Sequence, residues 1–414
     1  MKILLKNIKQ LVQVREESNS PIKGKAMSHL PILEDAWLAV EDGIIADYGK
    51  MDDFPGIEDW RGLEIIEAEN RIVLPTWVDA HSHIVYAGNR EEEFVDRING
   101  LSYEEIAARG GGILNSAFRL ENASEDELFD SAIYRIQEVI SQGTGALEIK
   151  SGYGLSLDSE LKMLRVIKRL KSESELTIKA TFLGAHAVPK NYKNKKENYI
   201  ELIIQEMIPA IRENKLADFI DVFCEQNYFT PEETLRILEA GKSAGMIPKV
   251  HAEQLSNYGG VLAGVKAGAI SVDHLEYVEE KEIEALLSSS TIPVILPGAA
   301  FFLNLPHPPA RKMIDSGLAV AISSDFNPGS SPSGNMNLML AIACIQYKMN
   351  PNEAINAATL NSAFAMGVEK ELGSITRGKK ANLILTKEIP STHFIPYAFG
   401  SNPVDKTILN GKFI

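Results

Sequence analysis

The chain has 414 residues, 45% hydrophobic and 24% charged, enough for one large domain, a smaller companion and a sizeable core. Its formal net charge of -14 argues against a nucleic-acid or anionic-membrane partner, since both need clustered Lys and Arg to offset phosphate repulsion. No apolar run approaches the roughly 20 residues that cross a bilayer, and the only cysteines, Cys224 and Cys344, are too few for a disulfide framework or a thiolate metal site.

Met1-Lys2-Ile3-Leu4-Leu5-Lys6 is basic and apolar but meets polar residues at once, which reads as a strand and not as a secretion signal. The two cysteines then read as buried thiols of a cytoplasmic protein. From residue 36 to 49, two β-like segments flank Asp42-Gly43, the signature of a tight hairpin. Similar β texture returns in Leu372–Leu385 and Val404–Ile414. Residues 1–70 and 371–414 are therefore expected to form one small β-sandwich domain from both termini.

Between them, 71–370, short apolar runs alternate with amphipathic, helix-length segments, the texture of repeated βα units. Strands are expected at Arg71–His83, Ala146–Lys150, Lys179–His186, Phe219–Cys224, Pro248–Glu253, Ala269–Leu275, Pro293–Pro297 and Leu318–Asp325. A helix is expected over Asp158–Leu170, whose apolar residues recur at helical spacing. Eight such units predict an α/β fold, a (β/α)₈ TIM-like barrel, with a long insertion from Ile84 to Gln142. The Lys- and Asn-rich stretch 191–198 reads as a solvated loop.

Barrel chemistry sits at the C-terminal ends of strands. His81 and His83 end the first predicted strand, His186 the third, His251 the fifth, His274 the sixth and Asp325 the eighth. Only His29, His307 and His393 of the chain's 8 histidines lie elsewhere. A lone strand-end His is more often structural, and an Asp before a turn more often stabilises the turn. Joint placement reverses that expectation. Alternate residues of a strand face the same way, so His81 and His83 point together, and His81, His83, His251 and Asp325 are the expected ligands of one divalent metal, Zn²⁺ or Fe²⁺. The Gly runs at 110–112 and 152–154 lack the residues that follow a phosphate-binding loop.

A His-x-His on strand one, His on strands five and six and Asp on strand eight resemble the amidohydrolase superfamily, over nearly the whole chain. Many members carry a carboxylated Lys ending strand four that bridges two metals. Here that region is Asp221-Val222-Phe223-Cys224-Glu225, so the resemblance implies a mononuclear site. Within the superfamily, Gly88–Phe94, Ser102–Ala107, Gly110–Ile113, Lys150–Leu155, Phe182–Pro189 and Ser324–Pro332 resemble the imidazolonepropionase family. The resemblance implies hydrolysis of 4-imidazolone-5-propanoate to N-formimidoyl-L-glutamate in histidine degradation, by a protein that forms a homodimer. For that chemistry Asp325 would move the proton of the attacking water, and His274 would hydrogen-bond the hydroxide or the oxyanion. Arg90 would clamp the propionate, and Tyr153 would stack on the ring or hydrogen-bond it. His186 would contact the ring or its carbonyl; Gln254, Asn327, Gly329 and Ser330 complete the expected substrate contacts. Single-metal deaminases of the superfamily usually carry Glu where this chain has Gln254, which disfavours the alternative of an aryl-heterocycle deaminase and leaves Glu253 as another candidate acid. A non-catalytic scaffold protein is disfavoured because the full ligand set is present.

Overall fold

The protein is described by a computed structural model covering residues 2–101, 105, 106, 109 and 111–414. Of the segments quoted above, Met1, Ser102, Tyr103, Glu104, Ala107, Ala108 and Gly110 lie outside the described residues.

The two chain ends meet in one mixed sheet. Its hydrogen-bonded order is Lys412–Phe413, Val404–Leu409, Leu383–Glu388, Arg71–Pro75, Lys2–Val12, Ile32–Glu41 and Ile44–Lys50. A further strand, Leu63–Glu67, runs parallel to the start of Lys2–Val12. The Asp42-Gly43 hairpin is present, with φ of +48° and +81° at its two central residues, as a two-residue turn between twisted strands requires. A Cβ at Gly43 would stand 2.7 Å from the Asn410 carbonyl, so this turn also packs against the C-terminal hairpin. Leu5, Ile8, Leu11, Leu38, Val73, Leu383 and Ile408 form the sheet's own apolar core.

Eight parallel strands form the barrel, in sequence order: Trp77–Asp79, Thr144–Lys150, Thr177–Ala185, Phe219–Cys224, Ile247–Ala252, Ser271–His274, Ile292–Ile295 and Ala321–Ile322. The expected first strand, Arg71–His83, is split between the two sheets. Arg71–Pro75 pairs with Leu383–Glu388; the Thr76 N–H still bonds the Asn382 carbonyl, and the Trp77 N–H turns to Gly143 in the barrel. Pro75 has no N–H for continuing a ladder, and the change of partner occurs beside it.

The barrel closes through the segments just beyond its first and last strands. Ser82 and Phe326 form a parallel bridge, with the Asp325 N–H donating to His81 O at 3.0 Å and the His83 N–H to Phe326 O at 2.9 Å. Outside lie helices with explicit start signals. Leu157–Glu173 covers the expected helix and is capped by the Ser156 side chain. Pro231–Ser243 carries a reciprocal Thr230/Glu233 capping box with Pro at its first position, each feature satisfying or sparing an orphan N–H. The insertion after strand one holds helices Glu91–Ile98, Ile113–Asn122 and Glu125–Ser141. Helix Lys196–Leu202 begins inside the stretch expected to be loop, anchored by a Lys196–Glu233 ion pair. Cys224 is buried and Cys344 half-buried. Among the described residues no helix is long and apolar enough to cross a membrane.

Candidate metal centre and active site

Barrel closure builds the first part of the site. Because Ser82 pairs with Phe326, the flanking His81, His83 and Asp325 side chains share one end of the barrel. His83 Nε2 lies 3.3 Å from His81 Nε2, and both nitrogens lie 3.5 Å from Asp325 Oδ1. Donors about 2.1 Å from a tetrahedral ion stand about 3.4 Å from one another, so this triangle has the dimensions of one face of such a site. His81 also belongs to a second convergent set with His251 and His274; the ligand atoms of each set lie within 4.8 Å of one another. His251 Nε2 is buried and has no hydrogen-bond partner among the described residues. A buried, unpaired imidazole nitrogen beside three other donors is what a metal ligand looks like before the metal is considered. The donor set therefore fits a divalent cation.

A second layer orients these imidazoles. Asp273 Oδ2 lies 2.6 Å from His81 Nδ1, and Asp221 Oδ2 lies 2.9 Å from His251 Nδ1. Asp273 selects the His81 tautomer that leaves Nε2 free to ligate, while Asp221 sets its charge beside His251 and accepts from the His251 backbone N–H at 3.1 Å. Beneath them is a fully buried ionic cluster. Lys150 Nζ donates to Glu148 at 2.6 Å and to Asp221 at 2.8 Å, and lies 3.5 Å from Asp273. Lys249 Nζ pairs with Glu148 and donates to the Ala80 carbonyl at 2.9 Å. Two ammonium groups thus face three carboxylates where water is excluded, which is tolerable only because each charge is partnered. Burial, reinforced by Lys150, holds His81 well below its ordinary pKa, and burial with His186 does the same for His83. Burial opposes ionisation of Asp221, but His251 and Lys150 outweigh it and hold the carboxyl well below the usual range.

None of Glu148, Lys150, Lys249, Asp221 or Asp273 was among the expected site residues. The sequence did hold a signal. Glu148/Lys150 and Lys249/His251 are spaced by two in otherwise apolar strands, so each pair points to the same barrel-interior face. A charge at such a position must find a partner inside.

The strand ends carry backbone strain. Glu253, His274, Leu275 and Asp325 have φ of +52°, +88°, +74° and +53°, a region that costs a non-glycine residue about 1–2 kcal/mol. These residues end strands five, six and eight. Asp79 helps to hold the last of them: its carboxylate accepts from the Ser324 N–H at 2.9 Å and from the Ser324 hydroxyl. Burial pushes the Asp79 carboxyl up to about 7.

The remaining expected residues line the same end. Arg90 is buried; its Nε donates to Ser116 Oγ at 2.9 Å, and Nη2 has no partner among the described residues. A Cβ at position 329 would collide with the Arg90 guanidinium, so only glycine leaves room for it there. The Tyr153 ring lies 5.9 Å from His83, 5.5 Å from His186 and 5.8 Å from Arg90 Cζ. His186 Nδ1 donates to the Gly152 carbonyl at 3.0 Å, and burial, with His251 nearby, pushes its imidazole down to about 3. It is therefore neutral. Gln254 is buried next to His251 in the loop after strand five. Asn327 is committed within its own loop, its Oδ1 accepting from the Gly329 and Ser330 amides at 2.8 Å each. Ser330 Oγ donates to Asp325 Oδ2 at 3.1 Å, which steadies the oxygen not facing the histidines. Glu253 turns away, accepting from the Gly259 and Val261 amides. Glu276 Oε1 lies 3.6 Å from His274 Nδ1; burial disfavours a charged His274, but Glu276 outweighs it and raises the imidazole pKa.

Comparison with known proteins agrees with this geometry. Residues 72–414 match the amidohydrolase family. Over 411 residues, 99% of each chain, the sequence is 55% identical to an imidazolonepropionase from Flavobacterium johnsoniae. It is 53% identical over 414 residues, all of both chains, to one from Christiangramia forsetii. The chain belongs to the imidazolonepropionase branch of the amidohydrolase family. An imidazolonepropionase from Brevibacillus brevis is 40% identical, covering all of this chain and 97% of its own. Solved structures share the fold at low identity: a triazine hydrolase variant (TM-score 0.76, 14% identical, covering 100% of this chain and 94% of that one) and Escherichia coli guanine deaminase (TM-score 0.75, 14% identical, 100% and 99%). In this amidohydrolase, strand four offers Asp221 on the side of the histidine cluster, and that carboxylate is engaged by His251 and Lys150.

Proposed function

We propose that this amidohydrolase opens 4-imidazolone-5-propanoate to N-formimidoyl-L-glutamate by hydrolysing the ring C–N bond next to the carbonyl. Catalysis is assigned to the barrel, 71–370, with 1–70 and 371–414 as its β companion. The observation that carries the reading is Arg90, a buried guanidinium with one nitrogen unpaired, beside Tyr153 and the histidine cluster. That is a receptor for a carboxylate at the edge of a hydrolytic site.

His81, His83, His251 and Asp325 would hold one divalent cation, Zn²⁺ or Fe²⁺, both of which accept imidazole and carboxylate. Such an ion lowers the pKa of a water molecule from about 16 towards 7 and polarises a carbonyl. Asp325 takes the proton released as water oxygen bonds to the ring carbonyl carbon, and delivers it to the departing ring nitrogen. Its second oxygen, steadied by Ser330, keeps the carboxylate in register through both transfers. His274, its positive charge favoured by Glu276, donates to the oxyanion. Neutral His186 offers the lone pair of Nε2 to a ring N–H of the substrate, because Nδ1 carries the proton donated to Gly152. Tyr153 and Gln254 hold the planar ring. Gly329 makes room for the propionate clamp, and the Asn327–Ser330 loop faces substrate and product once its internal bonds rearrange. A cytoplasmic homodimer completes the proposal.

The test is one metal-loaded sample assayed for ring opening and analysed for metal content. Loss of the imidazolone chromophore with about one ion per chain supports the reading. Ammonia release from guanine or cytosine, with imidazolone untouched, overturns it in favour of a deaminase.

A further inference from the structure

Glu160 stands in the first turn of helix Leu157–Glu173 and is fully buried. Its carboxylate is wrapped by the loop that carries Tyr153. Oε1 accepts from the Gly154 amide at 2.7 Å and the Leu155 amide at 2.9 Å; Oε2 accepts from the Gly152 amide at 3.1 Å. Both Gly152, at φ +107°, and Leu155, at φ +53°, have positive φ; glycine adopts it freely, whereas Leu155 holds it only if other contacts over-determine the turn. The Gly152 peptide is gripped from both sides, because its carbonyl accepts from His186 Nδ1. Three buried amides converge on one side chain, and they bracket the residue whose ring faces His83, His186 and Arg90.

We infer that Glu160 is a positioning residue for substrate binding: it shapes the 152–155 turn so that Tyr153 is presented, already ordered, to the substrate ring. The inference rests on the role proposed for Tyr153. A carboxylate suits this place because it offers only acceptors, and all three neighbours are donors. A glutamine of the same shape turns one NH₂ group against a backbone N–H, so at least one amide loses its partner. The turn then relaxes, and Tyr153 must be reordered each time substrate binds, which weakens ground state and transition state alike.

A double-mutant cycle on the metal-loaded enzyme tests this. Glu160→Gln is expected to keep its metal affinity and to hold kcat within about threefold while KM for 4-imidazolone-5-propanoate rises on the order of tenfold. Tyr153→Ala, which removes the ring, raises KM at least as much, and the double variant is no worse than Tyr153→Ala alone, because the two residues act through one contact. Effects that multiply in the double variant, or an unchanged KM in Glu160→Gln, overturn the inference and leave Tyr153 standing. An unchanged KM in Tyr153→Ala overturns the Tyr153 role itself. Should Glu160→Gln not fold, Glu160→Asp keeps the charge on a shorter stem; the same coupling to Tyr153→Ala is expected, and its absence refutes the inference.

Discussion

Arg90→Met removes the proposed clamp while keeping most of the buried volume. In the structure Arg90 spends Nε on Ser116, packs Nη1 against Gly329 at a long 4.0 Å from Glu93 Oε2 and leaves Nη2 unpaired. Two nitrogens thus remain for a carboxylate. A hydrogen bond to a charged group contributes about 1.5–3 kcal/mol, so a bidentate pair is worth about 3–6 kcal/mol, or roughly two to four decades in kcat/KM. The substitution also deletes a buried cation with an unpaired nitrogen, so the fold should lose no more than about 1 kcal/mol. Steady-state kinetics against the propionate substrate and against the same imidazolone ring without its propionate separate the two effects. The variant should lose activity on the first and match the wild type on the second, with metal content unchanged. Equal losses on both substrates, or a change within threefold on the first, would refute the clamp.

Asp273→Asn removes the carboxylate that sets the His81 tautomer; chelator competition should show metal affinity about 10–100-fold weaker, and unchanged affinity would deny Asp273 that role. Lys150→Met leaves Glu148, Asp221 and Asp273 short of a partner in a fully buried cluster, so denaturant unfolding should show a loss of about 3–5 kcal/mol; a neutral or stabilising result would mean that the cluster relaxes. His186 titrates near 3 in the fold, against its ordinary 6.5. Between those values the unfolded chain binds a proton there and the folded chain does not. Its contribution is therefore complete above pH 6.5 and is lost as pH falls towards 3. His186→Gln should lessen the fall in metal-free stability over that window, and a parallel pH profile would contradict the shift. Thr230→Ala deletes one half of a capping box and should cost about 1 kcal/mol without altering kinetics.

The site was only partly legible in the chain. His81, His83 and Asp325 could be placed together because strand ends in a barrel converge and alternate residues share a face. Arg90 and Tyr153 came from resemblance; a lone loop residue has no periodicity to betray it. Glu160 was hidden for another reason. Its role depends on three amides contributed by a loop, and backbone groups carry no residue-specific signal. Lys150 was visible as a residue, yet its partners come from strands two, four and six. The split of Arg71–His83 was marked in the sequence only by Pro75, and pairing alone distinguishes a terminal sheet from a barrel wall.

By itself, then, the sequence determined the alternation of eight strands with helices and the placing of imidazole and carboxylate groups at the strand ends. Both are local consequences of periodicity and residue type. Tertiary structure alone decided which side chains meet: the Ser82–Phe326 bridge that sets Asp325 beside the histidine pair, the buried lysines beneath it and the carboxylate that holds the Tyr153 turn. The bridge and the lysine cluster are contacts between segments far apart in the chain, and Glu160 meets its loop only when the loop folds back over the helix start; in the cluster, water is excluded around charges that no single segment could partner alone.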